Sequence, residues 1–94
     1  MVILPNPLQF EWDPGNLDKN WRKHRVSPEE CEEVFFDAHK RLLKDALHSG
    51  QEVRHILLGR TQKNRILFLV FTVRKSKVRV ISARDLNQRE KKLL

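Results

Sequence analysis

The sequence predicts an α+β domain in which helices pack against one antiparallel sheet, and three observations point to it. Residues 66 to 73, Ile-Leu-Phe-Leu-Val-Phe-Thr-Val, form the only long uninterrupted apolar run, with basic residues at both ends. Being too short for a bilayer, which takes about 20 apolar residues, the run reads as a central strand buried on both faces. Ser27-Pro28-Glu29-Glu30 carries the spacing of a capping box, in which serine and the glutamate three residues on bond each other's amides at a helix start. Lys77-Val78-Arg79-Val80-Ile81-Ser82-Ala83 alternates as a strand after a turn at Arg74-Lys75-Ser76.

The remaining elements follow in chain order. Leu8-Gln9-Phe10-Glu11-Trp12 alternates apolar with polar and predicts a short strand. Asp13-Pro14 ends it and opens a first helix, since Asp suits an N-cap and Pro is tolerated in the first turn. Leu17, Trp21 and His24 fall on one stripe of that helix. A second helix after Ser27 has Cys31, Val34 and Phe35 as its apolar stripe, and the short Arg25-Val26 link makes the pair a tight helical hairpin. Within residues 37 to 50, Lys40 to Lys44 could continue a helix, form an edge strand or lie irregular, with loop or weak strand favoured; Glu52 to Gly59 reads as a strand and residues 61 to 64 as a connection. Asp85 to Leu94 predicts a C-terminal helix with Asp85 near its cap.

The expected sheet is therefore the N-terminal strand plus a three-stranded meander, packed with the hairpin and the C-terminal helix. In the central strand Ile66, Phe68, Val70 and Thr72 point one way and Leu67, Leu69, Phe71 and Val73 the other. With the hairpin on one face, the Leu67 side is expected to be only partly shielded by the C-terminal helix, leaving room for a partner.

Residues 1–94 are expected to form one domain, because a chain of this size builds one core. The net charge of +7 is unevenly spread. Residues 1–53 hold 7 Lys or Arg and 10 Asp or Glu, whereas residues 54–94 hold 12 and 2. The sheet half thus faces anions, and nucleic acid or an acidic protein is the partner such a field attracts. The single Cys31 excludes an internal disulfide and reads as a small buried hydrophobe in a reducing compartment. Met1-Val2-Ile3-Leu4 before Pro5 lacks the basic start and length of a signal peptide, so a cytoplasmic protein without a membrane segment is expected. Three glycines cannot build a phosphate-cradling loop.

Phe10-Glu11-Trp12-Asp13-Pro14, Asn20, Lys23-His24, Val26-Ser27, Glu29-Glu30, Val34-Phe35, Asp45, His48-Ser49, Glu52, Arg54, Phe71-Thr72-Val73-Arg74 and Ile81-Ser82-Ala83-Arg84 stand in one order. In that ordered set, over roughly residues 10 to 90, the chain resembles the BrnT toxin family. The resemblance implies a small RelE-like fold, a toxin of a type II toxin-antitoxin system and an endoribonuclease that cleaves RNA without metal or other cofactor. Inhibition of translation and growth goes with that activity. It also implies a cognate BrnA-like ribbon-helix-helix antitoxin, with operator DNA bound only through the antitoxin complex. Homodimer and heterotetramer both stay open. The chain departs from the family pattern at Arg25, where a helix-ending Gly is usual, at Gln51-Glu52-Val53, where an acidic pair is reduced, and in an N-terminal extension through Pro7.

Metal-free RNA cleavage requires a base for the 2′-hydroxyl, cations for the phosphorane and an acid for the leaving oxygen. Histidine suits the proton transfers, and arginine or lysine the charge. The candidate catalytic residues are His24, His48, Arg54 and Arg84, with Lys23, Arg74, Lys77 and Arg79 as RNA-binding candidates. Each has a plainer alternative: His24 as a core histidine, His48 as a loop residue, Arg54 as a paired charge beside Ile56 and Leu58, and Arg74 as a hairpin-tip charge. Arg74 and Arg84 are expected at different ends of neighbouring strands. Trp12 and Trp21 are expected in the core rather than stacked on bases. His39 and His55 read as ordinary surface or sheet residues. A non-catalytic basic module holding nucleic acid or an acidic protein is the competing function, separated from a toxin by whether expression halts growth.

Overall fold

Hydrogen bonds supplied by the local sequence place the first two helices. In the computed structural model, which describes residues 4–44 and 53–94 and residues 16 and 17 by their backbone only, α1 spans Pro14–His24 and α2 spans Pro28–Phe35. The capping box forms at α2: Ser27 Oγ accepts from the Glu30 amide at 3.1 Å, and Glu30 Oε1 from the Ser27 amide at 3.1 Å. At the end of α1, Arg25 takes a φ of 55°, the left-handed conformation that glycine would adopt freely. Arg25 thus makes a left-handed helix end in spite of its Cβ, at a cost of roughly 1–2 kcal/mol. Its guanidinium lies 5.4 Å from the centre of the Trp21 ring, which offsets part of that cost.

Four antiparallel strands follow in the order β1 (Arg41–Lys44), β2 (His55–Arg60), β3 (Ile66–Arg74) and β4 (Lys77–Asp85). The first strand comes from the stretch where loop and weak strand were both open. The expected N-terminal strand is reduced to one parallel bridge, Phe10 to Val78, with Val78 bonded to Gln9 and Glu11 at 2.8 Å. Pro7 and Pro14 bracket that segment and leave few consecutive amides for a ladder. It still protects the outer edge of β4, as does Asn20, whose Oδ1 accepts from the Ala83 amide at 3.0 Å.

The α1 helix packs chiefly on β4, and α2 on β2 and β3. Val26, Cys31, Val34 and Phe35 meet Leu57, Leu67, Leu69, Phe71, Val78, Val80 and Ala83 in one core. Phe10, Phe35 and Phe71 stack edge to face at 5.2 and 5.0 Å. This reverses the expected shielding. Leu67, Leu69 and Phe71 are fully buried under the helices, whereas Ile66, Phe68 and Val70 remain partly exposed on the other face. Two apolar helical stripes suffice for only one side of a sheet this small.

Two further expectations are corrected. Asp85 does not cap a helix but ends β4 opposite Leu67. The C-terminal helix shrinks to a 3₁₀ turn, Arg89–Leu93, preceded by reciprocal bonds between Asn87 and Glu90 at 3.0 and 2.9 Å. Trp21 is 46% exposed rather than in the core. Trp12 does pack against the core and donates its indole N–H to Glu32 at 2.9 Å. Cys31 is buried as expected, and burial, helped by Glu30 and Glu32, pushes its thiol up to about 12.

Candidate functional site: an arginine-lined sheet face

Strand alternation decides which side chains share the face that the helices leave open. On β3 these are Ile66, Phe68, Val70, Thr72 and Arg74, and the register carries the set across the sheet. Arg41, Leu58, Phe68 and Arg84 form one row across all four strands; Thr72 pairs with Arg79, and Arg74 with Lys77. Arg60 stands opposite Ile66 on the same side. Arg41, Arg74, Arg79 and Arg84 therefore lie on the open face, while Arg60, the last residue of β2, stands at its rim with its charge near Asp37. The candidates Arg74, Lys77, Arg79 and Arg84 come together there, while Arg41 and Arg60 were missed. Their signal was register: once β1 and β2 pair with β3, alternation assigns both.

The face has two ends. Arg74, Lys77 and Arg79 gather near the β3–β4 turn, with Arg54 just ahead of β2 and in step with Ile56. Arg84 lies opposite Phe68, four residues from Thr72 and so about 13 Å along the strand. One phosphate cannot touch both groups, but an extended strand of RNA can. Arg79 also anchors the N-terminal segment, pairing with Glu11 at 3.1 Å and Asp13 at 2.6 Å. Arg84 stacks 4.2 Å from the Phe68 ring centre and grips both Glu90 carboxylate oxygens at 2.8 and 2.6 Å.

His24 is exposed in the last turn of α1, not in the core. It is not brought to Arg84: the His24 and Arg25 carbonyls accept from Arg65 at 2.9 and 2.8 Å, and the same guanidinium grips Asp85, which lies on the helix side of β4 opposite Leu67 while Arg84 lies on the open side, at 2.6 and 3.0 Å. Arg65 also reaches Glu30 at 3.1 Å, so its five N–H groups tie α1, α2 and β4 together. Arg65 holds the Asp85 carboxyl below its usual range against a smaller effect of burial, with His24 adding to the lowering. Lys23 is exposed beside His24. His48 and the neighbouring residues 45–52 lie outside the described residues. His39 is exposed, and His55 sits in β2 against Phe71 at 5.3 Å, its pKa lowered by burial and by Lys44. Among the described residues, no three His, Cys, Asp or Glu side chains converge as a metal site.

An α+β fold with acid concentrated in its N-terminal half and arginines on the sheet face opposite the helices presents a cationic surface of the kind that suits anions. Residues 12–90 match the family described as the ribonuclease toxin, BrnT, of a type II toxin-antitoxin system, and the chain belongs to that family. Membership implies RNA as substrate and an antitoxin as partner. No curated protein matches the chain. No helix among the described residues is long and apolar enough to cross a membrane.

Proposed function

We propose that this toxin is a metal-independent endoribonuclease that lays single-stranded RNA along the arginine face and cleaves it by attack of the 2′-hydroxyl. The observation that carries the reading is the gathering of Arg41, Arg74, Arg79 and Arg84 on the face opposite the helices. Planar guanidinium groups bind phosphate oxygens in pairs and are suited to the charge of a phosphorane. Arg84 and Arg54 supply that charge at the two ends of the face. His24, with Lys23 beside it, and His48 are the proton-transfer candidates. The half-exposed Ile66, Phe68 and Val70 between the cations fit a partner that is apolar in the middle and acidic at its rim. In this reading a BrnA-like antitoxin covers the face and keeps RNA off, and cleavage of cellular RNA by free toxin stops translation.

Purified toxin incubated with RNA in excess chelator should cleave it, and the joint His24→Ala, His48→Ala, Arg54→Ala and Arg84→Ala variant should not. Cleavage that stops in chelator, or that survives the joint substitution, refutes the reading. A toxin–antitoxin complex with the arginine face open to solvent refutes the proposed inhibition.

A further inference from the structure

Arg84 has the geometry of an anion subsite that is already filled from within. Its two terminal nitrogens meet the two carboxylate oxygens of Glu90 at 2.8 and 2.6 Å, while Phe68 supports the guanidinium plane from one side at 4.2 Å. A guanidinium fork accepts carboxylate and phosphate in the same paired arrangement, so one can replace the other without moving the arginine. Glu90 is not held by Arg84 alone: Asn87 donates its amide to the carboxylate at 3.0 Å and accepts the Glu90 amide at 2.9 Å. The carboxylate is thus carried on the short turn Arg89–Leu93, none of whose residues is buried.

We propose that Glu90 is an intramolecular competitor for the RNA phosphate at Arg84, and that the segment after β4 lifts away when RNA enters. The inference rests on the RNA-binding reading of the arginine face and adds the occupant of one subsite. The Arg84 end then opens only when a phosphate displaces the carboxylate. An ion pair whose sole role is to fasten the C-terminus would look similar at rest, and binding separates the two.

The probe is a fluorescent single-stranded oligonucleotide with 2′-O-methyl groups throughout, which binds without being cleaved. Glu90→Gln keeps the Asn87 cap, since Gln serves in such a box, and removes the competing charge. It should tighten binding about tenfold, the scale of one charge-assisted pair. In an Arg84→Ala background the same change should have almost no effect, which separates competition from a general gain in positive charge. Amide exchange of residues 86–94 should speed up when the oligonucleotide binds wild-type toxin. Unchanged or weaker binding by Glu90→Gln, equal tightening without Arg84, or slower exchange on binding each overturns the inference while leaving the RNA reading intact. Failure of every variant and of wild type to bind overturns both.

Discussion

Arg79 and Arg84 lie on the same face of β4 although five positions separate them. Plain alternation would send them to opposite sides. The register shifts between Val70 and Phe71, whose partners are Ser82 and Val80, so Ile81 is the extra residue of a bulge. Below the bulge Val78 and Val80 face the core, above it Ala83 does, and the arginines of both segments reach the open side. Deleting Ile81 removes only the extra residue: Val80 then precedes Ser82, the ladder becomes regular, and Val78, Val80 and Ala83 still face the core while Arg79 and Arg84 keep the open side. The expected result is a cooperative thermal transition that is retained, followed by circular dichroism; a deletion variant that loses its cooperative melt contradicts the assignment of Ile81 as the extra residue.

Arg65 acts through its carboxylates and helix carbonyls rather than through RNA. Glu30 is lowered even though burial works to raise it, because the Ser27 amide and Arg65 outweigh that effect, and Asp85 is lowered chiefly by Arg65. Groups with depressed folded-state pKa stabilise above their unfolded values, 4.5 for Glu and 3.8 for Asp, and lose that stabilisation as pH falls through the folded ones. Stability should therefore decline from about pH 4.5 downward. Arg65→Met should cost about 2–3 kcal/mol near neutral pH, by stranding partly buried partners, and should flatten the acid decline. Urea unfolding between pH 3 and 7 measures both effects.

Gly59 leaves no room for a side chain beneath the end of α2. A Cβ there would stand 2.9 Å from Val34 Cγ1 and 3.1 Å from Asp37 Oδ2, and Asp37 is also the acceptor for the Arg60 amide at 2.8 Å. Gly59→Ala should cost about 1–3 kcal/mol, as overpacking in a filled core does. The urea midpoint should fall with the slope unchanged; an unshifted midpoint would show that α2 has room to move.

Lys75 and Ser76 both have positive φ, 50° and 63°, in the two-residue connection of β3 to β4. Tight hairpins of this kind favour Asn-Gly, since a Cβ resists that conformation. Ser76→Gly should raise stability by about 0.5–1 kcal/mol, the relief of strain exceeding the added freedom of the unfolded chain. Thermal melts decide the sign.

Arg41 and Arg60 should contact RNA if the whole face does. Arg41→Gln and Arg60→Gln should each weaken binding of a single-stranded oligonucleotide and reduce the slope of log affinity against log salt by about 0.7, one phosphate contact apiece. Unchanged slopes would confine RNA to the Arg74, Lys77 and Arg79 end.

The capping box at Ser27, the turn at Lys75–Ser76 and the cationic meander were all readable from spacing, because each depends on neighbours a few residues apart. So was the placement of Arg74 and Arg84 at different ends of adjacent strands. His24 was less readable: its stripe on α1 indicated burial, but the helix ends there and leaves the ring exposed. Arg65 looked like a flank of an apolar run, and nothing local announced that its five donors would find Glu30, Asp85 and two carbonyls of α1.

Composition and periodicity alone established the two helices, the meander that follows them and the charge division between the N-terminal and sheet halves, since those are properties of short windows, whereas the N-terminal strand and the C-terminal helix they also indicated shrank to a bridge and a 3₁₀ turn. Which side of β3 the helices cover, which strand completes the sheet and whether Arg79 and Arg84 share a surface were settled only by long-range pairing. A one-residue shift of register exchanges the two faces of a strand, and neither the Ile81 bulge nor the partner of Arg41 leaves a trace within a few residues of itself.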